Sequence, residues 1–388
     1  MTTSKRACIV GIGQTPYSKW GSVTSESEFS LACRAILAAV REAGLEPKKI
    51  DGFSSFSNDR NEPSLLMNAL GIDRLRFASM VWGGGGGGSC GAVALAQAAV
   101  ESGQADYVVV FRSLCQGQSF RFGQFHPWTD HASFLTPFGM FAPPQMFAPL
   151  VRRHFHLYGT TEEHLGEVAV ACREYANRNP KAVMHRRTLT MEQYLSSKMI
   201  CDPLRLYDCC LESDGAAALL VTTWERARDL RHKPVEILAA QQGSEKNWGT
   251  GILGGHNMPS TRYASGNGLG LASDLYGKAG VTSDDIDVVQ LYDAFTGMVL
   301  FALEDFGFCK TGESGPFVAD GNLRLGGSAP CNTSGGILSE AYIHGLNLVL
   351  EGVRQIRGQS TCQVPDAQLA LVTGGESVTP TSALILGS

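Results

Sequence analysis

The apolar positions of the chain alternate between two textures. Ala7 to Gly11 is a short unbroken apolar run closed by glycine, the pattern of a buried strand. From Ser25 to Ala43 the residues Phe29, Ala32, Ala35, Ile36, Ala39 and Val40 recur at helical spacing, so an amphipathic helix follows. Val93 to Val100 continues as an alanine-rich helix and Ala105 to Phe111 as a second apolar strand. The same alternation returns from Pro234 to the end, which predicts an α/β chain with largely parallel, buried sheets.

The alternation also repeats in detail. Ala43-Gly-Leu-Glu-Pro-Lys-Lys-Ile-Asp51 matches Ala279-Gly-Val-Thr-Ser-Asp-Asp-Ile-Asp287, each closing a helix with glycine. Ala105-Asp-Tyr-Val-Val-Val110 corresponds to Ala367-Gln-Leu-Ala-Leu-Val372. One half is thus read as a diverged copy of the other. Between the copies, from about Ser119 to Met199, the texture changes to Phe, Pro, His, Met and Arg with little strand signal, as expected of an inserted loop domain. The expected division is 1–118 with 200–233 as the first half, 119–199 as the insertion and 234–388 as the second half. The aromatic insertion fits equally a satellite core, an oligomer contact or the wall of a pocket for a bulky apolar ligand.

Composition narrows the function. Of 388 residues, 37 are acidic and 32 basic, a net charge of −5 without long runs of either sign, which argues against a nucleic-acid binder. No run approaches the roughly 18 apolar residues of a membrane span. Eleven cysteines lie scattered with no Cys-x-x-Cys pair, and the start runs straight into a strand pattern, so reduced thiols in a cytoplasm are expected. His154, His156 and His164 lack the facial spacing of a ligand set and read as packing or surface histidines. Gly11-Ile-Gly13 lacks the third glycine of a dinucleotide fingerprint, and no Gly-Lys-Ser/Thr follows the run Gly83 to Gly88.

Several strings, in order along the whole chain, resemble the thiolase family. Ile9-Val-Gly-Ile-Gly-Gln-Thr-Pro16 is similar to a thiolase opening strand and turn, and Asp208-Cys-Cys-Leu-Glu-Ser-Asp-Gly-Ala-Ala-Ala-Leu-Leu220 to the segment closing the amino-terminal half. Leu291-Tyr-Asp-Ala-Phe295, Cys331-Asn-Thr-Ser-Gly-Gly336 and Ala341-Tyr-Ile-His-Gly345 resemble the active-site loops of the carboxy-terminal half, nearest to the sterol-carrier and lipid-transfer branch. The resemblance implies a thiolase fold, two duplicated βαβ halves in a five-layered αβαβα core. The chemistry departs from the family. Its spacing places the nucleophilic cysteine at Gly86, and Cys90, further into the helix, is the alternative nucleophile. Both family histidines are tyrosines here, Tyr292 and Tyr342, and the second catalytic cysteine has no counterpart before Gly374-Gly-Glu376.

This combination resembles the thiolase-like steroid side-chain aldolases of bacterial sterol degradation. The resemblance implies retro-aldol cleavage of a β-hydroxyacyl-CoA, for instance a 17-hydroxy-3-oxopregn-4-ene-20-carboxyl-CoA, to a 17-ketosteroid and propionyl-CoA. It further implies a homodimer working with a partner that carries OB-fold and zinc-ribbon domains, and no cofactor besides the CoA thioester substrate. Tyr292 and Tyr342 are the expected base and acid, with Tyr342 preferred as base and the reverse order left open. Asp293 and His344 are neighbours for tuning the phenols or for structure. Asn332 and the amides of Gly85, Gly86, Gly87 and Gly88 are candidate oxyanion donors, and the glycine run leaves room for a rigid ring against backbone. Arg152-Arg153 and Arg186-Arg187 are candidates for CoA phosphates, or solvated helix faces. The competing functions are a thiolase using Cys90 and a non-catalytic lipid or acyl-CoA carrier.

Overall fold

The computed structural model describes residues 6–82, 85–118, 135–246, 259 and 262–388. The chain runs through β1 (Ala7–Gln14), β2 (Ser18–Lys19), β3 (Gly52–Phe56), β4 (Phe77–Val81) and β5 (Val108–Leu114). Helices lead to the ribbon β6 (Met199–Cys201) and β7 (Leu204–Arg205), after which β8 (Ser213–Thr223) returns to the sheet. A second set follows: β9 (Val235–Gly243), β10 (Val288–Gln290), β11 (Leu369–Gly374) and β12 (Thr381–Gly387).

The two sets pair in the same way. In the first, β3 runs parallel to β4 and β5, β5 antiparallel to β8, and β8 antiparallel to β1. In the second, β10 runs parallel to β11 and to a bridge at Cys331, β11 antiparallel to β12, and β12 antiparallel to β9. The sets meet where β1 and β9 pair antiparallel through Cys8↔Glu236 and Ile9↔Val235.

The matched sequence strings are matched in role. Gly44 and Gly280 both end helices in the left-handed conformation, at φ 78° and 70°. The Asp51 carboxylate accepts the amides of Asp106 and Tyr107 at 2.8–3.0 Å, pinning the start of β5. The Asp287 carboxylate accepts those of Gln368 and Leu369 at 2.7 and 2.9 Å, pinning the start of β11.

Five layers result. The helix Glu28–Ala43 packs outside the first set, on β1, β8 and β5, and Leu269–Ala279 outside the second, on β9 and β12. Between the sets lie Ser89–Glu101 and Leu346–Ile356, each touching strands of both. Burial drives this stacking, at about 1.5–3 kcal/mol for each large apolar side chain removed from water. The helix Glu28–Ala43 starts on the Ser27 side chain, which accepts the Ser30 amide at 3.1 Å, and buries Leu31, Ile36 and Val40. Gly11 and Gly13 let it lie close on β1, since added Cβ atoms would fall 2.2 Å from the Ala39 carbonyl and 2.3 Å from that of Ala35. Those glycines are therefore packing positions.

The region read as an inserted loop domain is largely helical where described, with helices Pro143–Tyr158, Glu162–Arg178 and Met191–Leu195. Phe120, Phe122, Phe125, Trp128 and Phe134 lie outside the described residues. Phe147 is buried, its ring 5.2 Å from that of Phe295, so this part of the insertion is core beneath a site loop. His154 is also interior, its ring nitrogens 2.7 Å from Thr160 Oγ1 and 3.0 Å from Glu304 Oε1.

Candidate active site

The loops carrying the sequence motifs converge at the N-terminal ends of the two central helices. The glycines Gly85–Gly88 form a tight turn leading into Ser89–Glu101, and His344 and Gly345, at φ 49° and 82°, turn the chain into Leu346–Ile356. Between them sits Tyr292, two residues past the end of β10 and only 2 % exposed. Its backbone amide donates to Thr373 Oγ1 on β11 at 3.0 Å, which fixes the root of the side chain.

The phenol oxygen of Tyr292 accepts two hydrogen bonds. One comes from the Gly86 amide at 3.1 Å and the other from the Tyr342 hydroxyl. Tyr342 is half-buried, and its amide donates to Ser213 Oγ at 3.1 Å. Burial raises both phenols above their ordinary value. The hydrogen bonds from Gly86 and Tyr342 oppose that rise at Tyr292, and the Arg112 guanidinium opposes it at Tyr342.

The glycine run is required by side chains and backbone of this chain itself. An added Cβ would lie 1.9 Å from Tyr292 Cε2 at Gly86, 1.9 Å from the Pro380 carbonyl oxygen at Gly87 and 2.6 Å from Phe56 Cβ at Gly88. The ring lying against this backbone is thus that of Tyr292, and the Gly86 amide serves the Tyr292 oxygen. Gly85 adopts φ 56°, and its added Cβ would stand 4.0 Å from the Tyr292 hydroxyl.

Asn332 is no oxyanion donor, contrary to expectation. Its Oδ1 accepts the Leu291 amide at 2.8 Å and its Nδ2 donates to the Leu291 carbonyl at 2.9 Å, with a further bond to Asp293. It clasps the loop that carries Tyr292. The Asp293 carboxylate accepts the amides of Ile337 and Leu338 at 2.9 and 3.1 Å, and burial lifts it to about 7. Cys90 is fully buried, donates toward the Val372 carbonyl at 3.6 Å, and is pushed by burial up to about 12, so it holds no thiolate for attack. His344 Nδ1 accepts from Arg112 Nε at 3.1 Å, and burial together with that guanidinium keeps the imidazole well below its usual value.

Four contributors escape a sequence reading: Arg112, Ser213, Thr373 and Glu376. Glu376 is fully buried in the loop beside the glycine run, and burial lifts its carboxyl to about 8. Arg112 carried a signal, being a charge in the apolar run Val108–Leu114. Arg152 pairs with Asp202, and Arg186 and Arg187 are exposed.

Two similarly paired halves, one of five strands and one of four strands and a bridge, with their central helices meeting at one pair of loops, define a thiolase-fold protein. Residues 271–388 match the thiolase C-terminal domain-like family. The chain is 44 % identical over 394 residues to a steroid side-chain-cleaving aldolase of Thermomonospora curvata, covering 98 % of each. It is 42 % identical over 392 residues to the 17-hydroxy-3-oxo-4-pregnene-20-carboxyl-CoA lyase of Mycobacterium tuberculosis, covering 99 % of this chain and 100 % of that one. A solved Ltp2-ChsH2(DUF35) aldolase superposes with a TM-score of 0.92 at 43 % identity, covering 99 % and 98 %. Human mitochondrial 3-ketoacyl-CoA thiolase shares the fold alone, with a TM-score of 0.71 at 14 % identity. The chain belongs to the thiolase-like steroid side-chain-cleaving aldolases, and by class it is a carbon–carbon lyase.

Proposed function

We propose that this chain cleaves the side chain of a 17-hydroxysteroid acyl-CoA by a retro-aldol reaction in which the Tyr292–Tyr342 pair moves the protons. The observation that carries this reading is the Tyr292 oxygen, held by Gly86 N–H and Tyr342 O–H at the position where thiolases place a cysteine. The β-hydroxyl loses its proton to the pair as the C17–C20 bond breaks. The bonding electrons pass into the thioester as an enolate, and the pair returns a proton to its carbon. A 17-ketosteroid and propionyl-CoA leave. The step is redox-neutral and forms no covalent enzyme intermediate. Tyr342, the more exposed of the two, meets the substrate hydroxyl, with the Tyr292 phenol behind it. This ordering refines the preference for Tyr342 as base, which becomes the contact residue of a two-phenol base.

The substrate class is supported by the names of the full-length relatives. A partner protein is supported by the solved two-protein aldolase, and we take it to be of the OB-fold and zinc-ribbon kind. A second copy of the chain is offered the open edge of β4, where Met80 and Trp82 are 45 % and 88 % exposed. No helix among the described residues is long and apolar enough to cross a membrane. All eleven cysteines are free, which supports a reducing cytoplasm.

The test is co-expression with such a partner and assay of 17-hydroxy-3-oxopregn-4-ene-20-carboxyl-CoA for both products. Wild type and Cys90→Ala are expected to release them equally. Turnover of a 3-ketoacyl-CoA that depends on Cys90 would return the chain to thiolase chemistry, and binding without turnover would make it a carrier.

A further inference from the structure

Among the described residues Arg112 is one of the largest fully buried side chains, and it stands in a strand whose every position is interior. Its guanidinium donates to three groups among the described residues. Nη1 donates to Asp59 Oδ2 at 2.7 Å, Nη2 to the Ser57 carbonyl at 3.0 Å and Nε to His344 Nδ1 at 3.1 Å. The loop after β3 takes left-handed turns at Ser57 and Asn58, φ 59° and 54°, just before Asp59. A guanidinium has donors only. His344 Nδ1 must therefore present its lone pair, and the imidazole proton is left on Nε2. The ring stands edge-on to that of Tyr342, with centroids 4.9 Å apart and planes at 88°. Phe56 flanks both groups, 5.8 Å from the guanidinium and 6.4 Å from the imidazole centroid.

We propose that Arg112, anchored by Asp59, is a positioning residue that locks His344 into the neutral Nε2–H tautomer, so that His344 stands beside Tyr342 as a fixed hydrogen-bond donor and never as a base. The catalytic part of this inference rests on Tyr292 and Tyr342 being the reacting pair, whereas the tautomer stands on the Arg112 contacts alone. The arrangement suits a phenol base. A protonatable imidazole beside it would compete for the substrate proton, while a neutral donor supplies only a dipole. The guanidinium also favours negative charge at Tyr342 across the same gap. Among the described residues the charged and titratable groups facing His344 are Arg112 from β5, with Asp59 behind it, and Tyr342 from its own loop. Burial and Arg112 both disfavour the imidazolium.

The tautomer is read directly by solid-state NMR of the assembled complex with only this chain carrying 15N-histidine, His344 being assigned by its loss in His344→Gln. Unprotonated Nδ1 and protonated Nε2 are expected from about pH 5.5 to about 8.5. A protonated Nδ1 anywhere in that range would overturn the assignment, whatever the activity. For function, His344→Gln places an amide N–H where Nε2–H was and is expected to retain activity within about tenfold, whereas His344→Asn loses at least about 100-fold. Equal losses in the two would overturn the donor role, and this comparison does not depend on an Arg112 variant folding. Arg112→Met removes the guanidinium's share of the block while burial stays, so kcat gains an acid limb that lies below pH 6.5, the ordinary histidine value. Arg112→Met/His344→Gln, lacking the imidazole, loses that limb. A limb that persists in the double variant would also sink the proposal. Full activity in Tyr292→Phe would instead remove the tyrosine mechanism and leave the tautomer standing.

Discussion

Gly86→Ala puts the geometry of the phenol pair under direct strain. The new methyl would lie 1.9 Å from Tyr292 Cε2, 2.3 Å from Cζ and 2.5 Å from the phenol oxygen. Ordinary carbon contacts are about 3.5–4.0 Å, so the ring must retreat by roughly 1.5 Å. It has nowhere easy to go. On another side Gly345 packs so closely that its own added Cβ would be 3.0 Å from Tyr292 Cδ2, and Thr373 holds the backbone. Overpacking of this kind costs about 1–3 kcal/mol of stability. A displacement of about 1 Å in a reacting group costs about 100-fold in rate. Gly86→Ala is therefore expected to melt a few degrees lower and to lose about 100-fold in kcat with the partner-bound enzyme. Gly52→Ala is the matched control, since its methyl meets Val108 Cγ2 at 2.8 Å far from the tyrosines. It is expected to lose stability and keep kcat. Wild-type kcat in Gly86→Ala, or an equal kcat loss in Gly52→Ala, would refute the reasoning.

Cys90→Ala keeps kcat within about twofold, and its failure to do so in a steady-state assay would restore the thiol to the mechanism. Asp51→Ala and Asp287→Ala, each stripping a charged acceptor from two strand amides, cost about 2–4 kcal/mol apiece in urea unfolding without a specific loss of kcat in the folded fraction. Glu376 is held at about 8 against an ordinary 4.5, so the folded chain keeps a proton that the unfolded chain has lost between those values. Its contribution is fully present below about pH 4.5 and is lost as pH rises toward 8. Glu376→Gln does not titrate, and its urea midpoint relative to wild type is expected to rise between about pH 5 and about pH 8. A difference independent of pH would show that Glu376 ionises normally.

The duplication was legible because its marks are local. A glycine ending a helix and an aspartate eight or fewer residues later sit together in sequence, and they recur with the same backbone partners. Tyr292 and Tyr342 were legible for a similar reason, each lying within a contiguous string. What surrounds them was not. The bond from Arg112 to His344 spans 232 positions, that from Tyr342 to Ser213 spans 129, and that from Tyr292 to Thr373 spans 81. Asn332 was misread because residue type shows donor capacity, whereas only the folded chain shows that its amide already clasps Leu291. The glycine run was read correctly as close approach, but the approaching rings belong to Tyr292 and Phe56.

The central claim is that two phenols work as one acid–base unit in place of the thiolase cysteine. The most direct measurement is single-turnover cleavage of the 17-hydroxysteroid acyl-CoA by the partner-bound enzyme, comparing Tyr292→Phe, Tyr342→Phe and the double variant. Each single variant is expected to lose about 100- to 10,000-fold, and the double variant is expected to fall no further than the worse single one, because the pair acts as a unit. Near-wild-type cleavage by either single variant, or additive losses in the double, would contradict the account.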